Sequence, residues 1–307
     1  MKDRVKGTVV LIALLCLILT VGVVVRAQIP SVYNPAINPS DFSADITNPY
    51  FALIPGTMFE YKNQSGEGIE TGKVVVTYET KDVMGVKTRV VWDRVWDDEG
   101  LIEETFDWYA QDKEGSVWYF GEESKEYDEG RVESTKGSWE AGVNGAKPGI
   151  VMKANPQVDD AYYQEYYPGE AEDEARVVAV DETVETSIGA YENCVKTEDF
   201  TKLEPEQKEN KYYCPEVSGM VLAVDPENGA KEELTQVTRN VDVAGLTDER
   251  QAQVGIGETK GVTQGTQENQ FIWMLGVGVV IGLIILQIGR RFLIHSPQND
   301  QSSGTKE

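Results

Sequence analysis

From Thr57 onward, valine, threonine and aromatic residues alternate with charged ones in short runs. These are TMFEYK, GKVVVTYET, GVKTRVVWDRVW, EETFDWYAQ, GSVWYFG, RVES, AYYQEYY, ARVVAVDET, AYENCVKTEDF, KYYC, GMVLAV and ELTQVTRNVDV. A period of two puts successive side chains on opposite faces of a strand, and the Gly and Asp-Glu clusters between runs are where hairpins turn. The pattern predicts an all-β, antiparallel domain over residues 57–245, and no window there carries a helical stripe of useful length. Ahead of it, residues 28–56 contain Pro30, Pro35, Pro39, Pro49 and Pro55, which hold an extended lead-in out of helices. Behind it, residues 246–270 are rich in Gln, Gly and Thr and lack aromatics, which predicts a flexible stalk.

Two apolar segments bracket this pattern. Residues 9–25 follow Lys2, Arg4 and Lys6, so residues 1–27 read as a secretory signal ending near Val25-Arg26-Ala27, or as an uncleaved anchor. Residues 271–289 are close to the roughly 20 a helix needs to cross a bilayer. Arg290 and Arg291 on the far side place the tail, 290–307, in the cytoplasm. The expected location is the cell membrane, with the bulk of the chain extracytoplasmic. Gly278 and Gly282 form a GxxxG face suited to a helix-mediated homodimer.

The β runs fall into two related units. Lys73-Val74-Val75 lies over Arg176-Val177-Val178 and Glu79-Thr80 over Glu182-Thr183, all 103 positions apart, as are Phe59 and Tyr162. After one inserted residue, Gly85 lies over Gly189, Val91 over Val195, Trp108-Tyr109 over Tyr212-Tyr213, Gly115 over Gly219 and Val117 over Val221, all 104 apart. A single slip over so long a stretch predicts an internal repeat, about 57–121 and 160–226, folded as two curved or half-barrel-like units. The glycine-rich stretch 137–149 is expected to connect them.

The repeat also bears on the cysteines. If the run ending near Trp96 forms a hairpin with the run around Trp108 about Gly100, Val90 faces Ala110. The equivalents of that pair are Cys194 and Cys214, which predicts a cross-strand disulfide in an oxidising compartment. Cys16 lies within the first apolar segment and reads as an apolar filler.

Charge and composition narrow the chemistry. The chain has 52 Asp and Glu against 28 Lys and Arg, a net charge of −24. That balance gives nucleic acid no basic patch to engage. The single histidine, His295, sits in the C-terminal tail, so the β domain has no imidazole for a Ser-His-Asp triad or a His-based metal site. Carboxylate chemistry of the glycosidase kind is the enzyme class left open. Acidic clusters at 96–100 and 170–174 lack the spacing of a calcium loop. No cofactor and no catalytic residue is expected.

Trp108-Tyr109 and Trp118-Tyr119 put adjacent aromatics on opposite strand faces, which makes them a candidate ligand surface for a glycan or protein partner, with core packing as the ordinary alternative. Asn63-Gln64-Ser65 is an N-glycosylation acceptor sequence. The segments NPYFALIPGT (48–57), DWYAQDKEGSVWYFGE (107–122) and GSWEAGVNGAKPGIVM (137–152) resemble a functionally uncharacterised family of exported prokaryotic proteins. That resemblance implies a β-rich extracytoplasmic domain and brings no catalytic residues. The expected function is a surface-anchored, non-enzymatic binding or envelope-structural role. The alternatives are a carboxylate-based hydrolase of envelope polysaccharide and a carrier of lipid or another apolar ligand.

Overall fold

The computed structural model describes residues 33–66 and 68–243. The signal at 1–27, the stalk at 246–270, the helix at 271–289 with Gly278 and Gly282, and the tail lie outside the described residues. Among the described residues no helix is long and apolar enough to cross a membrane.

The described chain is all-β apart from a short 3-10 turn, Pro39–Asp41. Strands β1 (Phe42–Ser43), β2 (Ile46–Asn48) and β3 (Phe51–Leu53) belong to the lead-in. The first unit then contributes β4 (Thr57–Gln64), β5 (Ile69–Val83), β6 (Val86–Trp96), β7 (Leu101–Asp112) and β8 (Val117–Asp128). Next come β9 (Arg131–Ser134), β10 (Trp139–Glu140) and β11 (Lys147–Met152). The second unit opens with β12 (Ala161–Tyr163) and β13 (Glu165–Tyr166), followed by β14 (Asp173–Thr186) and β15 (Gly189–Thr201). It ends with β16 (Lys208–Cys214), β17 (Gly219–Val224) and β18 (Lys231–Arg239).

Every pairing is antiparallel, and the main path runs β12-β14-β15-β16-β17-β18-β4-β5-β6-β7-β8-β11-β13. Its two ends, β12 and β13, are one stretch of chain interrupted at Gln164. Residues 161–163 pair with β14, and Glu165 and Tyr166 pair with β11. The curved sheet is thereby nearly closed into a barrel, which leaves the long strands almost no free edge. Where the seam forms, the backbones of β11 and of Gln164 nearly touch. A Cβ on Gly149 would lie 2.3 Å from Gln164 carbonyl atoms, so only glycine fits there.

At the sequence offset, β4 maps onto β12 and β13, β5 onto β14, β6 onto β15, β7 onto β16 and β8 onto β17. The units also extend beyond the expected spans. β11 ends the first unit and pairs with the opening strand of the second, while β18 ends the second and pairs with β4, the opening strand of the first. The assembly is a nearly closed, barrel-like curved sheet. The glycine-rich stretch, expected to be a connection, contains β10 and runs into β11, because Pro148 and Gly149 sit at the seam where a bulkier residue would collide.

The disulfide Cys194–Cys214 is present, with Cα atoms 4.3 Å apart, next to the pairs Val195↔Tyr213 and Lys196↔Tyr212. In the first unit the expected register is off by two, since Val90 faces Trp108, and Ala110 faces Trp118 on the other neighbour. The reason is local. Asp97 closes a tight turn by accepting from the backbone N–H groups of Glu99 and Gly100 at 2.9 and 3.0 Å, which moves the hairpin centre toward the N-terminus of Gly100.

One end of the barrel is apolar. The β2–β3 hairpin, from the proline-rich lead-in, packs Ile46, Phe51 and Leu53 into the main core beside Phe59, Val76 and Val91. Phe51 meets the rings of Tyr109 and Tyr213, with centroids 5.7 and 6.2 Å away, so the plug touches equivalent tyrosines of the two units.

Candidate functional site

Beyond the tyrosines the interior changes character. On β7, Glu103, Thr105, Asp107 and Tyr109 alternate onto one face by the two-residue period, and Tyr109 belongs to the core. The same alternation brings Asp93 on β6 and Glu122 on β8 beside them. Across the seam it brings in Glu165, Asp173 and Asp199, and then Glu209, Lys211 and Glu232 from β16 and β18. Glu122, Glu165, Glu209, Lys211 and Glu232 are each at most 2% exposed. Asp93 and Glu103 keep part of their surface at the rim.

Each carboxyl lies in the field of the next around the barrel. Asp93 feels Asp107, Glu122 feels Asp107 and Asp173, and Glu165 feels Asp173 and Glu122. Asp173 feels Asp199, Glu209 feels Asp199, and Glu232 feels both Glu209 and Asp93, which completes the circuit.

Within this ring the two units neutralise charge differently. In the second unit the Lys211 ammonium stands 3.0 Å from Asp199 and 3.4 Å from Glu209. Burial alone lowers the lysine's pKa, but Asp199 and Glu209 outweigh it and hold the group charged well above the usual range. Gln164 donates to Asp199 at 3.1 Å. The position equivalent to Lys211 in the first unit is Asp107. There the Tyr119 hydroxyl stands 2.7 Å from Asp107 Oδ1 and 2.8 Å from Glu122 Oε2. A phenol carries one proton and can donate to only one of them. The second short contact needs a proton held by the other carboxyl.

Burial, followed by the neighbouring acids, raises these groups. Asp93, Glu103 and Glu209 are pushed up to about 8, while Asp107 and Asp173 reach about 7. Glu122, Glu165 and Glu232 are held well above the usual carboxylate range, burial being the first cause in each. Trp139 donates to Glu165 Oε2 at 2.8 Å, yet Oε1 of Glu165 and Oε1 of Glu122 find no protein partner. The buried hydroxyls of Tyr109 and Tyr213 find none either. Among the described residues no group of three or more His, Cys, Asp or Glu is arranged to hold a metal ion.

Two small spaces lie within the described residues. A space of ≈ 10 Å³ lined by Asp173, Asp199, Glu209 and Lys211 has room for about one water molecule. Another of ≈ 10 Å³ lies where the plug meets β4 and β17.

The aromatic surface expected from the sequence does not form. Tyr109 and Tyr119 are fully buried in the lumen, stacked with centroids 4.8 Å apart. Trp108 is buried with the Lys81 ammonium 3.0 Å from its ring centroid, and that ammonium also pairs with Glu140 at 2.8 Å. Trp118 is half-buried, donating to Asp112 at 2.8 Å and meeting Phe42 edge-on. Packing claims these rings because each backs onto a neighbouring strand or the lead-in. Asn63 is likewise no glycan acceptor in the folded chain. It is 1% exposed, and its amide nitrogen, the atom a sugar would occupy, donates to Glu70 at 3.0 Å.

The acid ring was not read from the sequence. Its signal is present: Glu103, Asp107, Glu209 and Glu232 fall in phase with core residues of their own strands. Charges on alternating strands are ordinarily assigned to the solvent face, which hides that phase.

No family model matches the chain, and no curated protein matches it. Among solved structures, a protein from Parabacteroides distasonis described as a "putative lipoprotein" is similar at 12% identity and a TM-score of 0.33, over 62% of this chain and 98% of its own. A likeness at that level carries no argument about function, so the account of this chain rests on its own residues: a nearly closed, barrel-like β-sheet with an apolar plug at one end and a buried carboxyl ring toward the other.

Proposed function

We propose that this protein is a non-catalytic module carried outside the cell on a membrane anchor, acting as an envelope-structural or binding unit through its outer surface and barrel ends. The observation that carries this reading is the small size of the interior spaces. Among the described residues, the spaces beside the ring and beside the plug each have room for about one water, too small for a sugar ring or an acyl chain. Neither space favours carriage of an apolar ligand. A polysaccharide hydrolase loses most of its own, because the best-placed acid pair, Asp107 and Glu122, is 1% exposed at each residue and shares its tyrosine out of reach of a chain-like substrate.

The extracytoplasmic placement draws on the disulfide, which persists in an oxidising compartment. It draws also on the apolar segments 9–25 and 271–289. Protease treatment of intact cells tests it. The expected result is cleavage from outside within residues 246–270, releasing a folded, disulfide-bonded fragment from the membrane fraction. Protection of the whole chain until lysis would overturn the proposal. Incubation of that fragment with envelope polysaccharide is expected to release no new reducing ends.

A further inference from the structure

The barrel closes through a short joint, and a member of the carboxyl ring sits on it. β14 and β15 pair along most of their length, whereas β11 and β13 meet in only two residue pairs, Lys147↔Tyr166 and Pro148↔Glu165. Glu165 is fully buried at that seam, with Trp139 on one oxygen and nothing on the other.

We propose that this seam is a proton-operated latch: β13 stays against β11 while the Glu165 carboxyl keeps its proton, and the barrel parts there when the ring ionises. This goes beyond the structural and binding role above and does not depend on where the protein resides. The groups facing Glu165 come from each side of the seam. From β7 and β8 they are Asp107, Tyr109, Tyr119 and Glu122, and from β14 it is Asp173. None of these is a cation. The nearest cation in the ring, Lys211, acts on Asp173 and Glu209 and is committed to Asp199 and Glu209.

Ionising Glu165 would place a charge among these acids with no cation among the groups that face it. A buried charge in that position is relieved by exposure. Few backbone hydrogen bonds break if the two-pair joint opens, and the side-chain tie across it is Tyr33, which donates to the Pro148 carbonyl at 2.9 Å and packs on Tyr163 and Tyr166. The opposite end is held independently by the plug and by Cys194–Cys214, so opening is local. The Tyr119 geometry supports the same view, since its two short contacts already need a shared proton. Burial raising Glu165 and Glu122 well above the ordinary range agrees with it.

Hydrogen exchange on the full chain in detergent, with a chelator present and intrinsic exchange corrected for pH, tests the latch. From pH 6 to pH 9, wild-type protection at 147–152 and 161–171 is expected to fall by about tenfold or more, the weight of one pKa unit. Protection around the disulfide, 191–197 and 211–215, is expected to hold. Glu165→Gln, which keeps the shape without the charge, is expected to keep the seam protected at pH 9. Unchanged seam protection in the wild type overturns the proposal without reference to any variant. So does an equal loss across the whole barrel, or an equal loss in Glu165→Gln. Restoration of the seam at pH 9 by calcium chloride would also overturn it, by showing that a metal closes the ring.

Discussion

The two units share a ladder of strands but bury their carboxyls by different means. Asp107 and Lys211 occupy equivalent places on β7 and β16, each two residues before an equivalent lumen tyrosine, Tyr109 or Tyr213. In the second unit a built-in ammonium faces Asp199 and Glu209. In the first unit a carboxyl stands in that place, and Asp107 and Glu122 are joined through one phenol. The corresponding strands place lumen groups at matching positions, while the residue at one of them decides whether an ammonium or a shared phenol faces the neighbouring acids.

The largest effect is expected where the ion pairs are broken. Lys211→Met leaves Asp199 and Glu209 buried without their cation, and a loss of about 3–5 kcal/mol in urea unfolding at pH 8 is expected. The loss should shrink at pH 5, where Glu209 keeps its proton; an equal loss at both would mean that packing, not charge, is at stake. Removing the disulfide as the double serine variant should cost about 3 kcal/mol, given the 20-residue separation, and should loosen only the second unit at first. Gly149→Ala forces a methyl into the Gln164 backbone and should cost about 1–3 kcal/mol. Its damage should appear in exchange at the seam, and a neutral effect would mean that β11 and Gln164 are not in contact.

The smallest change sharpens the comparison most. Asp107→Asn keeps the shape and removes one titrating carboxyl from the unit without a cation. Its stability is expected to match wild type near pH 5 and to exceed it at pH 9. A loss at both values would assign Asp107 a charged role like that of an ordinary ion pair.

Much of this architecture was legible in the sequence for definite reasons. The alternation of Val and aromatic residues with charges marks the strands, and strands of matching order fall at the offset between Lys73 and Arg176 or Trp108 and Tyr212. The cysteines could be paired because the turn beyond Phe200 is symmetric about Glu204. The same reasoning misplaced Val90 by two positions, because the capping of the turn by Asp97 is a side-chain effect that periodicity does not carry. β11 was passed over because its Pro148 and Gly149 look like loop residues until Gln164 is seen crossing them. The ring itself stayed hidden for another reason. Whether Asp107 faces solvent or the lumen depends on closure of the barrel, and closure depends on β13, two residues that no local pattern marks.

The pH dependence of global stability tests the proton-held interior most directly. An acid whose folded-state pKa lies above its unfolded value keeps its proton in the folded chain after the unfolded chain has released it. Unfolding then releases protons between about pH 4 and about pH 8, and stability falls as pH rises through that window. Urea unfolding of the full chain at several pH values from 5 to 9, with a chelator present, is expected to show a steady decline in stability toward the alkaline end. Stability that rises over the same range, as for carboxylates buried in ion pairs, would contradict it.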